Sequence, residues 1–249
     1  MAHLAFFFRH YAPWVDHFWI HDDGSTDGGL EFLAERDDVT VVPLVRQNAD
    51  SWILSAKAVY DTSWMQSRTT ADWVVVTNID EHLYHPNMPE YLTRMYKNGV
   101  TAIPALGYQM IARNMPPAHS TLFRDVPFGA PWGRMSKLQM FRPNFMRSSD
   151  FAPGRHSVRF DGTVVYPRQD EVLNLHYKYL GLDQVICRHA AQAERLKRLD
   201  RDKGWGHKYH WPIEDLIQDF EGFEQASIDV HGLTDHHTSH KEFRWWRRS

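Results

Sequence analysis

Along the first 110 residues, two hydrophobic patterns alternate: one with the period of a helix and one typical of a strand. Apolar residues recur at helical spacing in residues 4–11, 28–36, 51–69 and 89–98, and short apolar or β-branched runs fall at residues 17–21, 39–44, 73–77 and 100–106. This alternation of strands and helices predicts an α/β domain with a mixed, mainly parallel sheet flanked by helices. The run WVVVT at residues 73–77 indicates a central strand buried on both faces.

The second half of the chain is less regular. Residues 107–133 are rich in proline, glycine, methionine and aromatic residues, which is typical of a lid or binding loop. Short strands are predicted at residues 137–142, 157–160, 164–166 and 171–176, before an amphipathic helix at 182–199. We expect residues 1–200 to form one domain, with residues 201–249 as a helical or irregular extension packed on it or trailing from it.

Composition excludes several classes of protein. The 249 residues carry a formal charge of −3 with 28 dispersed Lys and Arg, which argues against a general nucleic-acid binder. A single cysteine, Cys187, excludes an internal disulfide. No apolar run approaches the roughly 20 residues that span a bilayer. We therefore expect a soluble, cytoplasmic protein.

Two acidic segments follow predicted strands. HDDGSTDGG occupies residues 21–29, and NIDE occupies residues 78–81. Ligands of open α/β sheets bind at the carboxyl ends of strands. One acidic segment can meet a ribose or base and the other a metal on a diphosphate, so the pair suggests a nucleotide-sugar site.

Three segments resemble one family. HFWIHDDGSTDGG resembles the strand-turn-helix of GT-A glycosyltransferases of the family 2 type, ADWVVVTNIDEHLYHP is similar to the D-x-D-E-F-L element of a bacterial branch, and LNLHYKYL is similar to its late H-Y-K element. They occur in the family's order, and the similarity covers residues 4 to about 200. The resemblance implies a GT-A, Rossmann-like fold and inverting transfer of a sugar from a nucleotide-sugar donor to a saccharide or lipid-linked saccharide acceptor.

The resemblance also implies a metal. Asp80 matches the direct ligand, and His176 is the candidate for the second ligand of Mn²⁺ or Mg²⁺. A divalent ion lets a carboxylate and a phosphate share one site and stabilises the leaving group. Asn78 stands where the family has the first Asp of D-x-D, which removes a negative charge and predicts weaker metal binding.

The nucleotide-sugar contacts are expected elsewhere in the same segments. Asp22 or Asp23 matches the residue that meets the base or ribose, with Asn78, Lys57 and Lys178 as further contacts. Asp23 has an alternative role in supporting the turn at the following glycine.

The catalytic base is left open by the sequence, because no segment matches the family's E-D motif. Candidates are Glu81, His156 and Glu171, together with Asp150 and Asp170. A base must reach the acceptor hydroxyl within hydrogen-bond distance. His156 has an equally good alternative as a loop histidine without a ligand.

One departure from the family bears on activity. The family's first strand has no counterpart before the predicted helix at residues 4–11, which predicts exposed strand edges and a marginal or dimerising protein. A second interpretation is therefore a catalytically weak or inactive domain that binds a sugar nucleotide.

The last residues support two further alternatives. A metal-dependent hydrolase could use the cluster Asp235, His236, His237 and His240. The ending KEFRWWRRS mixes arginine and tryptophan, which suits peripheral contact with a lipid surface at the cytoplasmic face. A tail docked on the core, or a disordered one, explains this composition equally well.

Overall fold

A computed structural model describes residues 2–233 and 244–247 as a mixed α/β protein. The helices are α1 Ala2–Tyr11, α2 Gly29–Ala34, α3 Trp52–Thr62, α4 Met88–Lys97, α5 Leu122–Asp125, α6 Leu182–Arg195, α7 Arg198–Asp202 and α8 Ile213–Gln225. The strands are β1 Phe18–Asp22, β2 Val39–Pro43, β3 Val74–Val75, β4 Glu81–Tyr84, β5 Ala102–Ala112, β6 Phe128–Pro131, β7 Leu138–Phe141, β8 Met146–Phe151, β9 Val158–Gly162, β10 Val172–Leu180 and β11 Ile228–Asp229.

The central sheet is organised around β5. Its strand order is β11-β6-β5-β10-β4, and β7 pairs with the start of β5 and with β3. In the described chain only β1–β2 and β5–β10 pair in parallel. The prediction of a mainly parallel sheet is therefore wrong. After β5 the chain returns through β6 and β7 without a long helical crossover, so these strands pair antiparallel.

Strand β5 is longer than the sequence pattern predicts. It continues through residue 112, across a region where a loop is expected, and is buried from Ala102 to Ile111. Gly107 permits this, because a Cβ there would lie 2.3 Å from the backbone carbonyl carbon of Met135. This glycine marks a close approach between two backbone segments, not a turn.

Strands β1 and β2 form a separate two-stranded parallel sheet. Helix α1 covers one face of it, with the rings of Phe7 and Phe8 lying 5.8 and 4.8 Å from the ring of Phe18. Among the described residues β1 pairs only with β2 and β3 pairs only with β7, so no strand pairing joins the small sheet to the central one.

Strand β3 differs from its predicted role. Val74 and Val75 are only partly buried, since one edge of this short strand pairs with β7 and the other has no strand partner in the described chain. The prediction of a central strand buried on both faces is wrong. The predicted strand at residues 164–166 is also absent, although the carbonyl of Val165 accepts hydrogen bonds from the amides of Thr101 and Ala102.

The C-terminal extension packs on the same body. Helix α8 buries Leu216 and Phe220 against Ile111 and Tyr179. Trp246 is buried in the central core, so this part of the tail is docked. The histidine-rich cluster proposed for a hydrolase, at residues 235–240, lies outside the described residues. None of the described helices has the length and apolar character needed to cross a bilayer.

Candidate functional site

A cleft of about 1380 Å³ contains most of the predicted site residues. Its walls come from α1, β1, α3 and β3, and from His176, Lys178 and Tyr179 of β10. The predicted residues that line it are Asp22, Asp23, Asn78, Asp80, Glu81, His156, His176 and Lys178. Lys57 and Glu171 do not line it.

The two predicted metal ligands meet in this cleft. Strand β10 pairs antiparallel with β4 so that His176 lies opposite Glu81, and Asp80 immediately precedes β4. The amide of Tyr177 donates to the carbonyl of Asp80 at 2.6 Å. As a result, His176 Nε2 lies 3.8 Å from Asp80 Oδ2. Residues almost 100 positions apart thus form one donor pair.

The tautomer of His176 is set by a neighbouring amide. Its Nδ1 lies 2.7 Å from Gln109 Oε1 and donates to it, which leaves the Nε2 lone pair directed toward Asp80. Gln109 is oriented in turn, since its Nε2 donates to the carbonyls of His176 and Met110. Burial lowers the pKa of His176 to about 4, so the imidazole is neutral at pH 7. Such outer hydrogen bonds are typical of metal-binding histidines.

Glu81 is buried beside this pair, with 1% of its surface exposed. Its Oε1 accepts from Lys137 at 3.1 Å and from Arg155 at 2.8 Å, and its Oε2 accepts from Gln139. Burial opposes ionisation, but the charges of Arg155 and Lys137 hold the pKa of Glu81 well below its usual range.

These contacts limit what Glu81 can do. One of its oxygens lies within 4.8 Å of ligand atoms of Asp80 and His176, so the three could hold an ion as a group. Both carboxylate oxygens are already used by internal donors. A carboxylate with a depressed pKa is also a weak proton acceptor. The geometry favours Glu81 as a positioning residue over a base or an open ligand.

Asn78 is part of the same network. Its Nδ2 donates to Glu81 Oε1 at 3.1 Å, and its Oδ1 accepts from the hydroxyl of Tyr60 at 3.3 Å. A carboxylate at this position would bring a second negative charge next to Glu81 and lose a donor. The departure from D-x-D therefore has a local reason.

At the end of β1 the two aspartates have different partners. Asp22 Oδ2 accepts from the amides of Gly24 and Ser25 at 2.8 and 3.0 Å, and its pKa is lowered by hydrogen bonds from Ser25 and Gly24 that outweigh desolvation. Asp23 pairs with Arg46 at 3.0 Å and accepts from Trp52 Nε1 at 2.9 Å. The turn at Gly24 is therefore supported by Asp22, and Asp23 is the carboxylate held toward α3.

The remaining predicted residues have structural partners outside the cleft. Lys57 Nζ bridges Asp61 at 2.5 Å and Asp150 at 2.9 Å. Glu171 accepts from Arg244 at 3.0 Å and Arg247 at 2.6 Å, which anchors the tail. A further candidate, Asp170, pairs with His85 and Arg94 and does not line the cleft, and neither does Asp150.

His156 is the base candidate that lines the cleft without an acidic partner. Its Nδ1 lies 3.1 Å from the carbonyl of Arg134 and donates to it, which leaves Nε2 as an acceptor. Burial, assisted by the charge of Lys137, lowers the pKa of His156 to about 4, so the ring is unprotonated at pH 7.

Several site residues escaped the sequence analysis: Gln109, Lys137, Gln139, Arg155 and Arg188. Gln109 and Gln139 carry a signal, because each is a polar residue inside the apolar runs GYQMIA and LQMF. Buried polar side chains need partners, so a glutamine on a central strand indicates a network. Arg155 and Arg188 give no comparable signal.

The chain matches none of the protein-family models with which it was compared. A comparison with curated proteins also finds no match.

Proposed function

We propose that this protein is a glycosyltransferase that moves a sugar from a nucleotide-sugar donor to a saccharide-type acceptor, with Mn²⁺ or Mg²⁺ held by Asp80 and His176. The observation that carries the proposal is the 3.8 Å approach of His176 Nε2 to Asp80 Oδ2 in the cleft that also contains Asp22 and Asp23. One imidazole nitrogen and one carboxylate oxygen are suitable donors for such ions.

Each residue has a role in this proposal. A bound divalent ion would supply Lewis-acid stabilisation of the leaving nucleoside diphosphate. Asp80 and His176 would hold the ion, and Gln109 keeps the imidazole in the tautomer that exposes Nε2. Glu81 fixes the loop that carries Asp80 through its contact with Asn78.

We assign the catalytic base to His156. The geometry carries this assignment: among the described residues no donor is bonded to His156 Nε2, which is an acceptor on the cleft wall, whereas the pKa of about 4 makes the ring a weak base. The substitution His156→Asn is expected to lower turnover while leaving donor affinity unchanged. Lower donor affinity with normal turnover would assign His156 to binding instead.

A second function has a specific observation in its favour. Because Asn78 is uncharged and Glu81 is fully paired, Asp80 is the one carboxylate among residues 78–81 that would be available to an ion. Such a site fits a protein that binds a sugar nucleotide but transfers slowly.

Calorimetry with UDP, GDP and dTDP sugars, with and without MnCl₂, separates these functions when combined with an assay for nucleoside diphosphate release. We expect metal-dependent binding and turnover that Asp80→Ala abolishes. The matched control is Asp161→Ala, an exposed carboxylate on β9 outside the cleft. Binding without turnover would support the second function, and no binding to any donor would contradict both.

A further inference from the structure

Arg188 of α6 lies on the wall of the cleft with an incomplete set of partners. Its Nη1 donates to His3 Nε2 at 3.0 Å, and its Nη2 donates to the carbonyl of Lys178. Its Nε is buried and has no hydrogen-bond partner among the residues that the structure describes. Within the described chain, no carboxylate oxygen lies within 4.0 Å of a guanidinium nitrogen of Arg188, which is the limit for an ion pair.

The neighbours of Arg188 do not neutralise its charge. Burial lowers the pKa of His3 to about 4, and the positive charge of Arg188 acts in the same direction, so His3 is neutral at pH 7. Burial also lowers the pKa of Arg188, while Asp80 opposes this from beyond ion-pair distance. A partly desolvated cation without a counter-ion is unfavourable, and it is well suited to receive an anion.

Lys178 is a second cation with this property. Its Nζ lies 3.4 Å from the hydroxyl of Tyr209 and 4.5 Å from the centre of that ring. It has no carboxylate partner in the part of the chain that the structure describes. The backbone carbonyl of Lys178 accepts from Arg188, so the two residues are tied together at the Asp80 end of the cleft.

The charges at this end of the cleft match a diphosphate. Glu81 offsets one of the two charges of Lys137 and Arg155, so this cluster keeps about one positive charge and Asp80 is left to face a bound ion. A divalent ion with Arg188 and Lys178, less the carboxylate of Asp80, would add about three positive charges, so the site is cationic enough for the about two to three negative charges of a leaving nucleoside diphosphate.

We propose that Arg188 and Lys178 form the subsite for the diphosphate of the donor, with His3 orienting the guanidinium. This inference rests on the proposed function. Arg188 presents a planar fork suited to phosphate oxygens, and Lys178 acts as a point charge.

Titration calorimetry with inorganic pyrophosphate and Mg²⁺ tests the subsite without a choice of base or sugar. We expect Arg188→Gln and Lys178→Gln each to weaken pyrophosphate binding about tenfold or more, because each loses a charge-assisted hydrogen bond. Arg188→Lys should restore part of the affinity. The matched control is Arg201→Gln, an exposed arginine of α7 outside the cleft, and it should leave affinity unchanged.

A thermal melt without ligand separates ligand binding from a structural role. Arg188→Gln removes an uncompensated charge, so its Tm should equal or exceed that of the wild type. A lower Tm with unchanged pyrophosphate affinity would make Arg188 a structural residue and overturn the inference. Equal affinity of the wild type for inorganic phosphate would overturn the assignment to a diphosphate and indicate an anionic acceptor.

The two proposals can fail separately. Arg188-dependent pyrophosphate binding without binding or turnover of any nucleotide sugar would keep the anion subsite and remove the donor function. Nucleotide-sugar turnover that Arg188→Gln and Lys178→Gln leave unchanged would keep the function and remove the subsite.

Discussion

Removing the charge of Glu81 should destabilise the fold far more than removing a surface carboxylate. Glu81 has 1% of its side chain exposed, Lys137 2% and Arg155 1%. The substitution Glu81→Gln leaves both cations buried without a counter-ion. Breaking a buried pair in this way costs about 3–5 kcal/mol. For a domain of this size, that is a fall in Tm of roughly 6–20 °C.

The pKa of Lys137 supports this reasoning. Burial lowers it to about 8 even with Glu81 beside it, so the ammonium depends on its counter-ion. The double variant Glu81→Gln/Lys137→Met removes one cation together with the carboxylate. Its loss in free energy of unfolding should be smaller than the sum of the losses in the two single variants, by a coupling energy of about 0.5–3 kcal/mol.

Urea unfolding followed by circular dichroism, together with thermal melts, measures these differences. The matched control is Asp161→Asn, which removes an exposed carboxylate. A loss of less than about 1 kcal/mol in Glu81→Gln, within the range of exposed pairs, would refute the reasoning.

Three further predictions follow from named contacts. Gln109→Leu frees the His176 ring to change tautomer and should weaken Mn²⁺ binding about 10–100-fold by calorimetry; unchanged affinity would mean that the metal does not use His176. Gly107→Ala forces a Cβ to 2.3 Å from neighbouring backbone and should cost about 1–3 kcal/mol or more in urea unfolding, and a neutral result would contradict the close approach. His10 is buried against the stacked ring of His82, and burial lowers its pKa from 6.5 to about 4. The stabilisation from keeping His10 neutral is complete above pH 6.5 and is lost as the pH falls toward 4, which amounts to about 3 kcal/mol. Urea titrations at pH 7 and pH 4 should show this loss, and His10→Phe should reduce it; equal pH dependence in both proteins would refute the assignment.

The approach of Asp80 and His176 was predictable from the sequence, but the network around them was not. Asp80 and His176 carry family-like motifs, and the register of β4 and β10 brings them together. The charged partners of Glu81 are Lys137 and Arg155, which lie more than 50 residues away in the sequence. No local sequence pattern indicates such long-range contacts, because a charged side chain requires a partner only when the fold buries it.

The sheet was predicted less well than the helices. Val74 and Val75 are residues typical of a central strand, yet residue type does not determine on which edges a strand is paired. Glycine is typical of turns, yet Gly107 lies inside β5, where the backbone closely approaches that of Met135. Helix boundaries depend on nearby residues, whereas strand pairing depends on segments that are distant in sequence.

The separation of β1–β2 from the central sheet has a consequence for ligand binding. Asp22 and Asp23 lie at the end of β1, whereas Asp80 precedes β4 and His176 lies in β10, and no described strand pairing joins the two sheets. A donor that contacts both pairs of residues would link the two sheets, and part of its binding free energy would stabilise the smaller sheet. Amide protons of β1 and β2 should then exchange with deuterium more slowly once the donor is bound, while those of β5 keep their rate.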